Sequence, residues 1–183
     1  MTAAVVLAAG ASTRLGEPKQ LAWLAGETLL ERAVRTAREA GCSPVVVVLG
    51  AEAERIAEQC DLSDAVVVIN NAWGEGMASS IRCGVGKLQD AEGVVLMTCD
   101  QPAVTAAHLR ALMATGEATA SHYAGRNGVP AYLPAASFAQ LMKLRGDSGA
   151  RELLREAAAI DLAHGELDVD TAEDLAEAER RFL

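Results

Sequence analysis

The residues best suited to chemistry stand together in a loop that follows the first apolar run of the chain. From Leu7 to Lys19 the sequence reads L-A-A-G-A-S-T-R-L-G-E-P-K, and small residues there let backbone N–H groups approach an anion closely. Ser12 and Thr13 add hydroxyl donors, while Arg14 and Lys19 add the positive charge that a triphosphate requires. The composition of this loop therefore predicts a phosphate-binding site.

The spacing of this loop excludes two common phosphate-binding motifs. A Walker loop requires G-x-x-x-x-G-K-[ST], but Gly10 and Gly16 are too far apart and Lys19 does not follow Gly16 directly. The dinucleotide fingerprint G-x-G-x-x-G requires a second glycine where this chain has Ser12. The remaining alternative is an ordinary connecting loop that carries surface charges.

A single carboxylate stands at the end of another apolar run. Asp100 follows the run at residues 94–98 and Cys99, and Pro102 ends the predicted strand. Ligands of parallel α/β sheets bind at the carboxyl ends of strands, and an aspartate there suits Mg2+, which keeps waters and bridges phosphate oxygens. We therefore predict that Asp100 is a metal ligand; a solvated aspartate at a strand end is the alternative.

Two further carboxylates precede the last predicted helix. Asp168 and Asp170 are two residues apart, so an extended segment would place both on one face. They are equally consistent with acidic residues that stabilise the start of a helix through its dipole. Thr171 and Asp174 resemble a capping signal for that helix.

Three other segments are candidates for ligand contacts. Residues 74–80 begin just before a predicted helix, where N–H groups and the hydroxyls of Ser79 and Ser80 are available to ribose, base or phosphate; ligand-free serines in a capped helix are the alternative. Residues 128–130 either shape a second pocket or form only a turn and an edge strand. Asp147, four residues before Arg151, is as consistent with a helical ion pair as with a ligand contact. The isolated His108, on a predicted helix, is interpreted as structural.

Alternating strands and helices must position these residues. Short β-rich runs alternate with amphipathic stretches whose apolar residues have helical spacing, which predicts an α/β fold with a mostly parallel sheet covered by helices on both faces. The predicted strands cover residues 3–9, 44–50, 65–70, 93–99, 119–123 and 129–133, the last two around a turn at 125–128. The predicted helices cover residues 28–40, 52–60, 77–88, 105–115, 135–143, a stretch from 148, and 171–181.

Composition bounds the remaining possibilities. The 183 residues, 51% of them hydrophobic, suffice for a substantial core, and we expect a single domain over residues 1–183. A net charge of −9 argues against nucleic acid as a partner. No apolar run approaches the ~20 residues that cross a bilayer, so we expect a cytoplasmic protein with no membrane partner and no signal peptide. The cysteines are scattered without metal-ligand spacing and are expected to be reduced.

The pattern LAAG-x-S-x-R-x-G-x-P-K resembles the signature loop of the nucleotidyltransferases typified by the molybdenum cofactor enzymes. The resemblance extends over nearly the whole chain, in the segments GEGMASS from Gly74, MTCDQP from Met97, GVP from Gly128, GDSGAR from Gly146 and DVDT from Asp168. The molybdopterin cytidylyltransferase branch is most similar, because it shares LAAG, C-D-Q-P and G-D-x-G-A-R. The chain departs from the pattern at Ala172, where a proline is often found.

The resemblance implies a three-layer, Rossmann-like nucleotidyltransferase fold and a Mg2+-dependent transfer of CMP from CTP to molybdopterin, with release of pyrophosphate. A phosphate nucleophile is already anionic and needs no general base, so catalysis would rest on positioning and charge neutralisation. The implied catalytic residues are Arg14, Lys19 and Asp100, and the implied metal ligands are Asp100 and Asp168. The implied nucleotide-binding residues are Leu7, Ala8, Ala9, Gly10, Ser12, Lys19, Ser79 and Ser80, and the acceptor-binding residues are Gln101, Gly128, Pro130 and Asp147.

The nucleotide and the acceptor are the least constrained parts of this assignment. CTP is expected over GTP because the guanylyl branch tends to carry LAGG where this chain has Ala9, at the junction where the base is expected to lie. Related transferases use the same loop and aspartate for sugar or alditol phosphates. A third alternative is a non-catalytic carrier that hands molybdenum cofactor to a molybdoenzyme client; the joint presence of Arg14, Lys19 and Asp100 argues against it.

Overall fold

The strands of this protein form one seven-stranded sheet and a separate two-stranded hairpin, in a computed structural model that describes residues 1–183. They are β1 (Thr2–Ala8), β2 (Trp23–Leu24), β3 (Glu27–Thr28), β4 (Val45–Leu49), β5 (Val66–Ile69), β6 (Gly93–Thr98), β7 (Thr119–Tyr123), β8 (Arg126–Pro134) and β9 (Ala158–Asp161). The sheet has the order β5-β4-β1-β6-β8-β7-β9, and only β8 runs antiparallel to its neighbours. The predicted mostly parallel sheet is confirmed.

Helices cover both faces of this sheet, as predicted. They are α1 (Leu29–Glu39), α2 (Ala53–Gln59), α3 (Met77–Val85), α4 (Ala106–Ala114), α5 (Phe138–Leu141), α6 (Arg151–Leu154) and α7 (Ala172–Phe182). Strand β1 is buried on both sides, with Ala4 and Val6 in the core beneath α1 and α4, and Ala3 and Val5 in the core beneath α3. A central strand of this kind reads as a continuous apolar run because neither face meets water.

A smaller apolar cluster joins the two ends of the chain. Leu24 of the β2–β3 hairpin and Leu29 at the start of α1 pack with Val169 and with Ala178 of α7. Helix α7 begins with the predicted capping signal, in which the Thr171 hydroxyl accepts from the Asp174 N–H. These contacts hold the C-terminal segment against the part of the fold that contains the β2–β3 hairpin and the start of α1.

The last third of the chain differs from the prediction in four elements. The predicted turn at 125–128 is tighter, because Ala124 and Gly125 both adopt positive φ and make a two-residue hairpin turn. Strand β8 therefore begins at Arg126. The predicted helix at 135–143 is a 3-10 turn followed by the short α5, and the helix predicted from Ser148 is only the one-turn α6. Strand β9 was not predicted, because its A-A-I-D sequence has little β-propensity and it is an exposed edge strand.

No helix of the structure is both long enough and apolar enough to span a membrane.

Candidate functional site

The loop after β1 is closed by hydrogen bonds among its own residues. The buried Gln20 amide nitrogen donates to the carbonyl oxygens of Ala8 (2.8 Å) and Gly10 (3.3 Å). The Ser12 hydroxyl donates to Gln20 Oε1 (3.4 Å) and accepts from the backbone N–H of Lys19 (2.8 Å). These bonds hold the strand end and the lysine in one arrangement, and they occupy Ser12 within the loop.

Basic residues of the loop meet carboxylates from two distant parts of the chain, the end of β6 and the segment before α7. Lys19 Nζ donates to Asp100 Oδ2 (2.5 Å) and to Asp170 Oδ1 (3.0 Å). Arg14 Nη2 donates to Asp170 Oδ2 (2.9 Å). The structure therefore brings together Arg14, Lys19 and Asp100, the residues predicted to be catalytic. The Lys19 side chain is 22% exposed and the Arg14 side chain 70% exposed, so only the lysine is enclosed in the site.

A single backbone hydrogen bond places the C-terminal carboxylates beside Asp100. The N–H of Val169 donates to the carbonyl oxygen of Asp100 (2.8 Å), and the Val169 side chain is fully buried. The residues on either side of Val169 both reach the site: Asp170 contacts Lys19, and Asp168 lies in a cavity that Asp100 also lines. The segment from Asp168 to Asp170 thus carries carboxylates that serve the site, and the acidic charge that serves the α7 terminus comes from Glu173 and Asp174.

The electrostatics of this cluster follow from burial and from the excess of carboxylates. Burial by itself lowers the pKa of Lys19, but the charge of Asp100 and hydrogen bonds to Asp100 and Asp170 raise it above its ordinary value, so the ammonium stays charged. Burial, followed by the negative charges of Asp100 and Asp170, raises the pKa of Asp168 to about 7. Burial also raises the pKa of the fully buried Cys99 thiol to about 12, so this cysteine is not a nucleophile.

A cavity of about 350 Å3, which we name the loop cavity, opens beside this cluster. It lies between the loop after β1, the start of α3 and the end of β6. Eight of the residues predicted to contact ligands line it: Leu7, Ala8, Ala9, Gly10, Lys19, Ser80, Asp100 and Asp147. Trp73 forms part of its rim with 40% of the residue exposed.

The two serines of the second loop have different environments. The Asn70 amide nitrogen donates to Ser79 Oγ (2.8 Å) and Ser80 Oγ (3.0 Å). The Ser79 hydroxyl in turn donates to the carbonyl oxygens of Gly76 (2.8 Å) and Ala72 (3.0 Å), so it is used inside the protein. Ser80 lines the loop cavity, and its hydroxyl proton has no partner in the structure. Of the pair, Ser80 is therefore the one available to a ligand.

Gly76 allows the second loop to touch the loop that contains Asp147. Its φ is +110°, and a Cβ there would lie 2.6 Å from both Asp147 Oδ1 and the carbonyl oxygen of Gly146. Asp147 lines the loop cavity whereas Arg151 lines a different one, so the helical ion pair considered for these residues is absent. Asp147 was predicted to bind the acceptor, and the structure places it on the same side as the phosphate loop.

A second cavity of about 210 Å3, which we name the hairpin cavity, meets the loop cavity at a shared wall made of Met77, Thr98 and Asp100. The predicted residues Gln101, Gly128 and Asp168 line it. Its far side is formed by the hairpin of β7 and β8 and by α6.

Hydrogen bonds hold the wall of the hairpin cavity in place. Gln101 Nε2 donates to the Val129 carbonyl oxygen (3.1 Å), and Gln101 Oε1 accepts from Thr98 Oγ1 (3.3 Å). Gly128 lies against Tyr123, because a Cβ there would be 2.6 Å from Tyr123 Oη. These contacts tie the hairpin to the end of β6.

Pro130, also predicted to bind the acceptor, is buried and lines neither cavity. Its carbonyl oxygen accepts from Ser121 Oγ (2.6 Å), which also contacts His108 Nε2 (2.8 Å). Both His108 and Pro130 thus stand in an internal hydrogen-bonded chain that supports the hairpin from behind. This arrangement is consistent with the structural interpretation of His108.

The donor set fits a divalent cation that binds together with a nucleotide. No three His, Cys, Asp or Glu side chains lie close enough to hold a metal by themselves. Mg2+, however, is commonly bound by one or two carboxylates, with waters and substrate phosphates completing its shell. Asp100 and Asp168 share the hairpin cavity, and their mutual repulsion is relieved when a cation binds. The carboxylates therefore suit a hard cation without forming a complete cage.

Four residues of the site were not predicted from the sequence. Gln20 and Asn70 organise the two loops, Trp73 lines the loop cavity, and Asp170 pairs with the lysine. Only Asp170 had a sequence signal, its spacing from Asp168. The others are ordinary polar or aromatic residues whose roles depend on contacts between distant segments.

Comparison with known proteins identifies the family. Residues 4–162 match the model of the MobA-like NTP transferase domain. The chain is 33% identical to the nicotine blue oxidoreductase of Paenarthrobacter nicotinovorans, over 93% of each protein. It is 31% identical to the purine catabolism protein PucB of Bacillus subtilis, over 93% of this chain and 92% of that protein.

A solved structure shares the fold over nearly its full length. Rv0371c of Mycobacterium tuberculosis, in its complex with manganese, superposes with a TM-score of 0.80 at 30% identity and covers 98% of this chain and 97% of its own. That relative therefore binds a divalent cation. On the family match and these similarities, the chain belongs to the MobA-like NTP transferase family of nucleotidyltransferases.

Proposed function

We propose that this protein transfers a nucleoside monophosphate from a nucleoside triphosphate, preferentially CTP, to the phosphate of a small acceptor, with molybdopterin as the leading candidate. The observation that carries the proposal is the position of Asp100 on the wall shared by the loop cavity and the hairpin cavity. A carboxylate there faces a triphosphate on one side and an acceptor on the other. Lys19, bonded to the same carboxylate, supplies the positive charge of the site.

The residues at this wall support a transfer that requires no general base. An acceptor phosphate is already anionic, so the protein has to position it, exclude water and neutralise charge. Lys19 stays protonated and faces the negative charge that grows on the leaving pyrophosphate. Arg14 adds a second positive charge on the solvent side of the site. Bound at Asp100 and Asp168, Mg2+ would supply further neutralisation of the triphosphate. A cation held by Asp100 would take the place of Lys19 at that carboxylate, and the ammonium, still bonded to Asp170, would be available to phosphate.

We assign the nucleotide base to the part of the loop cavity that is lined by Ala9 and Trp73. The Gly50 backbone lies so close to both residues that an added Cβ would be 2.6 Å from Trp73 Cβ and 2.7 Å from the Ala9 carbonyl oxygen. The indole is partly exposed at the cavity rim and offers a stacking surface for a base. The methyl group of Ala9 narrows the space beside it, which favours cytosine over a purine.

The two relatives have names that refer to different reactions, so family membership alone does not identify the reaction of this protein. One relative is named an oxidoreductase of nicotine blue and the other a purine catabolism protein. In this chain Lys19, Asp100 and Asp168 form a site suited to a triphosphate and a cation. This arrangement favours nucleotidyl transfer. A sugar or alditol phosphate is the alternative acceptor, because the same wall would serve it.

The decisive experiment measures pyrophosphate release with Mg2+ and each of the four nucleoside triphosphates, in the presence and absence of molybdopterin. We expect release that depends on the acceptor and is fastest with CTP. Release with a sugar or alditol phosphate instead of molybdopterin would keep the transferase and change the acceptor. No release with any acceptor, together with measurable CTP binding, would favour the non-catalytic carrier.

A further inference from the structure

Three arginines line a third cavity, which we name the arginine cavity, at the outer end of the hairpin cavity. It has a volume of about 460 Å3 and is lined by His122, Gly125, Arg126, Asn127, Arg151 and Arg155. Arg126, Asn127 and Arg151 also line the hairpin cavity. The two spaces are therefore neighbours with a common wall, and the arginines lie on the side remote from Asp100.

The arginines are brought together from two segments by one side chain. The Asn127 amide nitrogen donates to the carbonyl oxygens of Leu154 (2.9 Å) and Ala157 (3.2 Å), which ties the residues after α6 to the start of β8. The Arg126 guanidinium lies over the Tyr123 ring at 5.9 Å from its centroid, a cation–π contact that favours one orientation. The cluster is thus part of the folded framework.

Two of these arginines lack a direct ionic partner, although the charge of Arg126 acts on the Asp168 carboxyl and opposes the rise in its pKa that burial causes. Neither Arg126 nor Arg151 forms an ion pair or a side-chain hydrogen bond, whereas the other arginines of this acidic chain have a carboxylate or a carbonyl partner. Arg155 lies 3.9 Å from Glu152, with both side chains more than two thirds exposed, and such a pair contributes little. An excess of positive charge at one cavity of a protein with net charge −9 favours an anionic ligand.

We propose that Arg126, Arg151 and Arg155 bind a second anionic group of the acceptor, which is the dithiolate end of molybdopterin or a phosphate or carboxylate of another acceptor, away from the phosphate that reacts beside Asp100. This inference rests on the proposed function, because it assigns the hairpin cavity to the acceptor. Guanidinium groups recognise such anions through paired N–H donors. The concave shape and the wall shared with the hairpin cavity favour a small molecule over the acidic surface of a partner protein.

The first test uses inorganic phosphate as the probe and requires no turnover. Phosphate is titrated calorimetrically into wild type, into a variant with Arg126→Gln, Arg151→Gln and Arg155→Gln, and into a control with Arg38→Gln, Arg110→Gln and Arg145→Gln, which lie elsewhere on the surface. We expect the first variant to lose about tenfold or more in affinity, as for removal of charge-assisted hydrogen bonds, and the control to match wild type. Equal affinity in both variants, or no phosphate binding by wild type, overturns the inference.

The second test separates this inference from the proposed function. With an acceptor that supports pyrophosphate release, Arg151→Gln should raise the acceptor KM about tenfold while the CTP KM stays unchanged, and Arg151→Lys should restore part of the loss. An unchanged acceptor KM in Arg151→Gln overturns the inference even when turnover is normal. A different result would separate the two proposals: wild type releases no pyrophosphate, but the variant with all three arginines replaced binds phosphate more weakly than wild type. That result contradicts the proposed function and supports the anion site.

Discussion

The loop cavity and the hairpin cavity share a wall at Asp100, yet they are built differently. The loop cavity takes the largest share of its lining from one stretch of chain, the end of β1 and the loop that follows it, and Gln20 stabilises that stretch from within. The hairpin cavity is assembled from the end of β6, the β7–β8 hairpin, α6 and the segment that contains Asp168. A contiguous loop presents the same groups to any nucleotide, whereas an assembled wall can change its side chains without disturbing the loop. On this basis we interpret the loop cavity as the constant half of the site and the hairpin cavity as the half that is able to vary, and we call them the constant half and the variable half.

Removal of Asp100 is the strongest test of this division, because it affects both halves. Asp100→Asn removes the carboxylate that we propose as a metal ligand, and such a ligand is worth several kcal/mol of transition-state stabilisation, so we expect kcat/KM to fall by about 10³-fold or more. Asp161→Asn removes a carboxylate from the end of β9 that lines neither cavity and should retain wild-type activity. An Asp100→Asn variant within a few-fold of wild type in Mg2+ would show that the shared wall does not hold the metal.

Lys19→Ala tests the loop half alone. We expect kcat/KM to fall by about 10²–10³-fold, the loss typical of one preorganised donor to transition-state charge. The lysine is also the counterion of Asp100 and Asp170, so its removal leaves two neighbouring carboxylates without a partner. The thermal midpoint should therefore fall in EDTA and recover partly with Mg2+, whereas the exposed Lys143→Ala should change neither quantity. Normal specific activity with a large loss of stability would make the lysine purely structural.

Ala9→Gly tests whether the constant half also selects the base. One buried methyl group contributes about 1–3 kcal/mol, so the preference for CTP over GTP should be of order 10–200-fold in wild type and should relax in the variant. Trp73 and the second loop remain in place, so we expect no full switch. The measurement is kcat/KM for both nucleotides with one acceptor. Equal use of CTP and GTP by wild type would move the protein to another branch of the family.

The smallest predicted effect concerns Asp168 on the variable side. Its folded pKa of about 7 is raised from its ordinary value, so the folded state is destabilised increasingly as pH rises from about 4 to 7, and the cost is constant above that. In EDTA, Asp168→Asn should therefore raise the thermal midpoint more at pH 8 than at pH 5. Because the group is partly exposed, we expect a difference of about 2–4 °C, as for 1 kcal/mol. A pH-independent difference would show that the carboxyl titrates normally.

The same division explains which features were predictable from the sequence. The positions of Lys19 and Asp100 follow from local patterns, a loop after a buried strand and a carboxylate where a strand ends. Strand β9 and the contacts of Asp170 depend on pairing between distant segments, which leaves little trace in composition. Arg126 was missed for a second reason, because the predicted turn at 125–128 would have made it a loop residue. The tight turn at Ala124 and Gly125 puts it in a strand.

The hydrogen bond between Val169 and Asp100 also determines when the site forms during synthesis. Lys19 and its partner Asp170 are 151 residues apart, which corresponds to about 8–30 s of translation at ~5–20 residues per second. In the second half of that interval the nascent chain contains the phosphate loop and Asp100 but not yet Asp168 and Asp170, which complete the site. Binding of nucleotide and metal should therefore begin only after the segment before α7 has emerged and docked, which couples the first activity of the molecule to the last step of its folding.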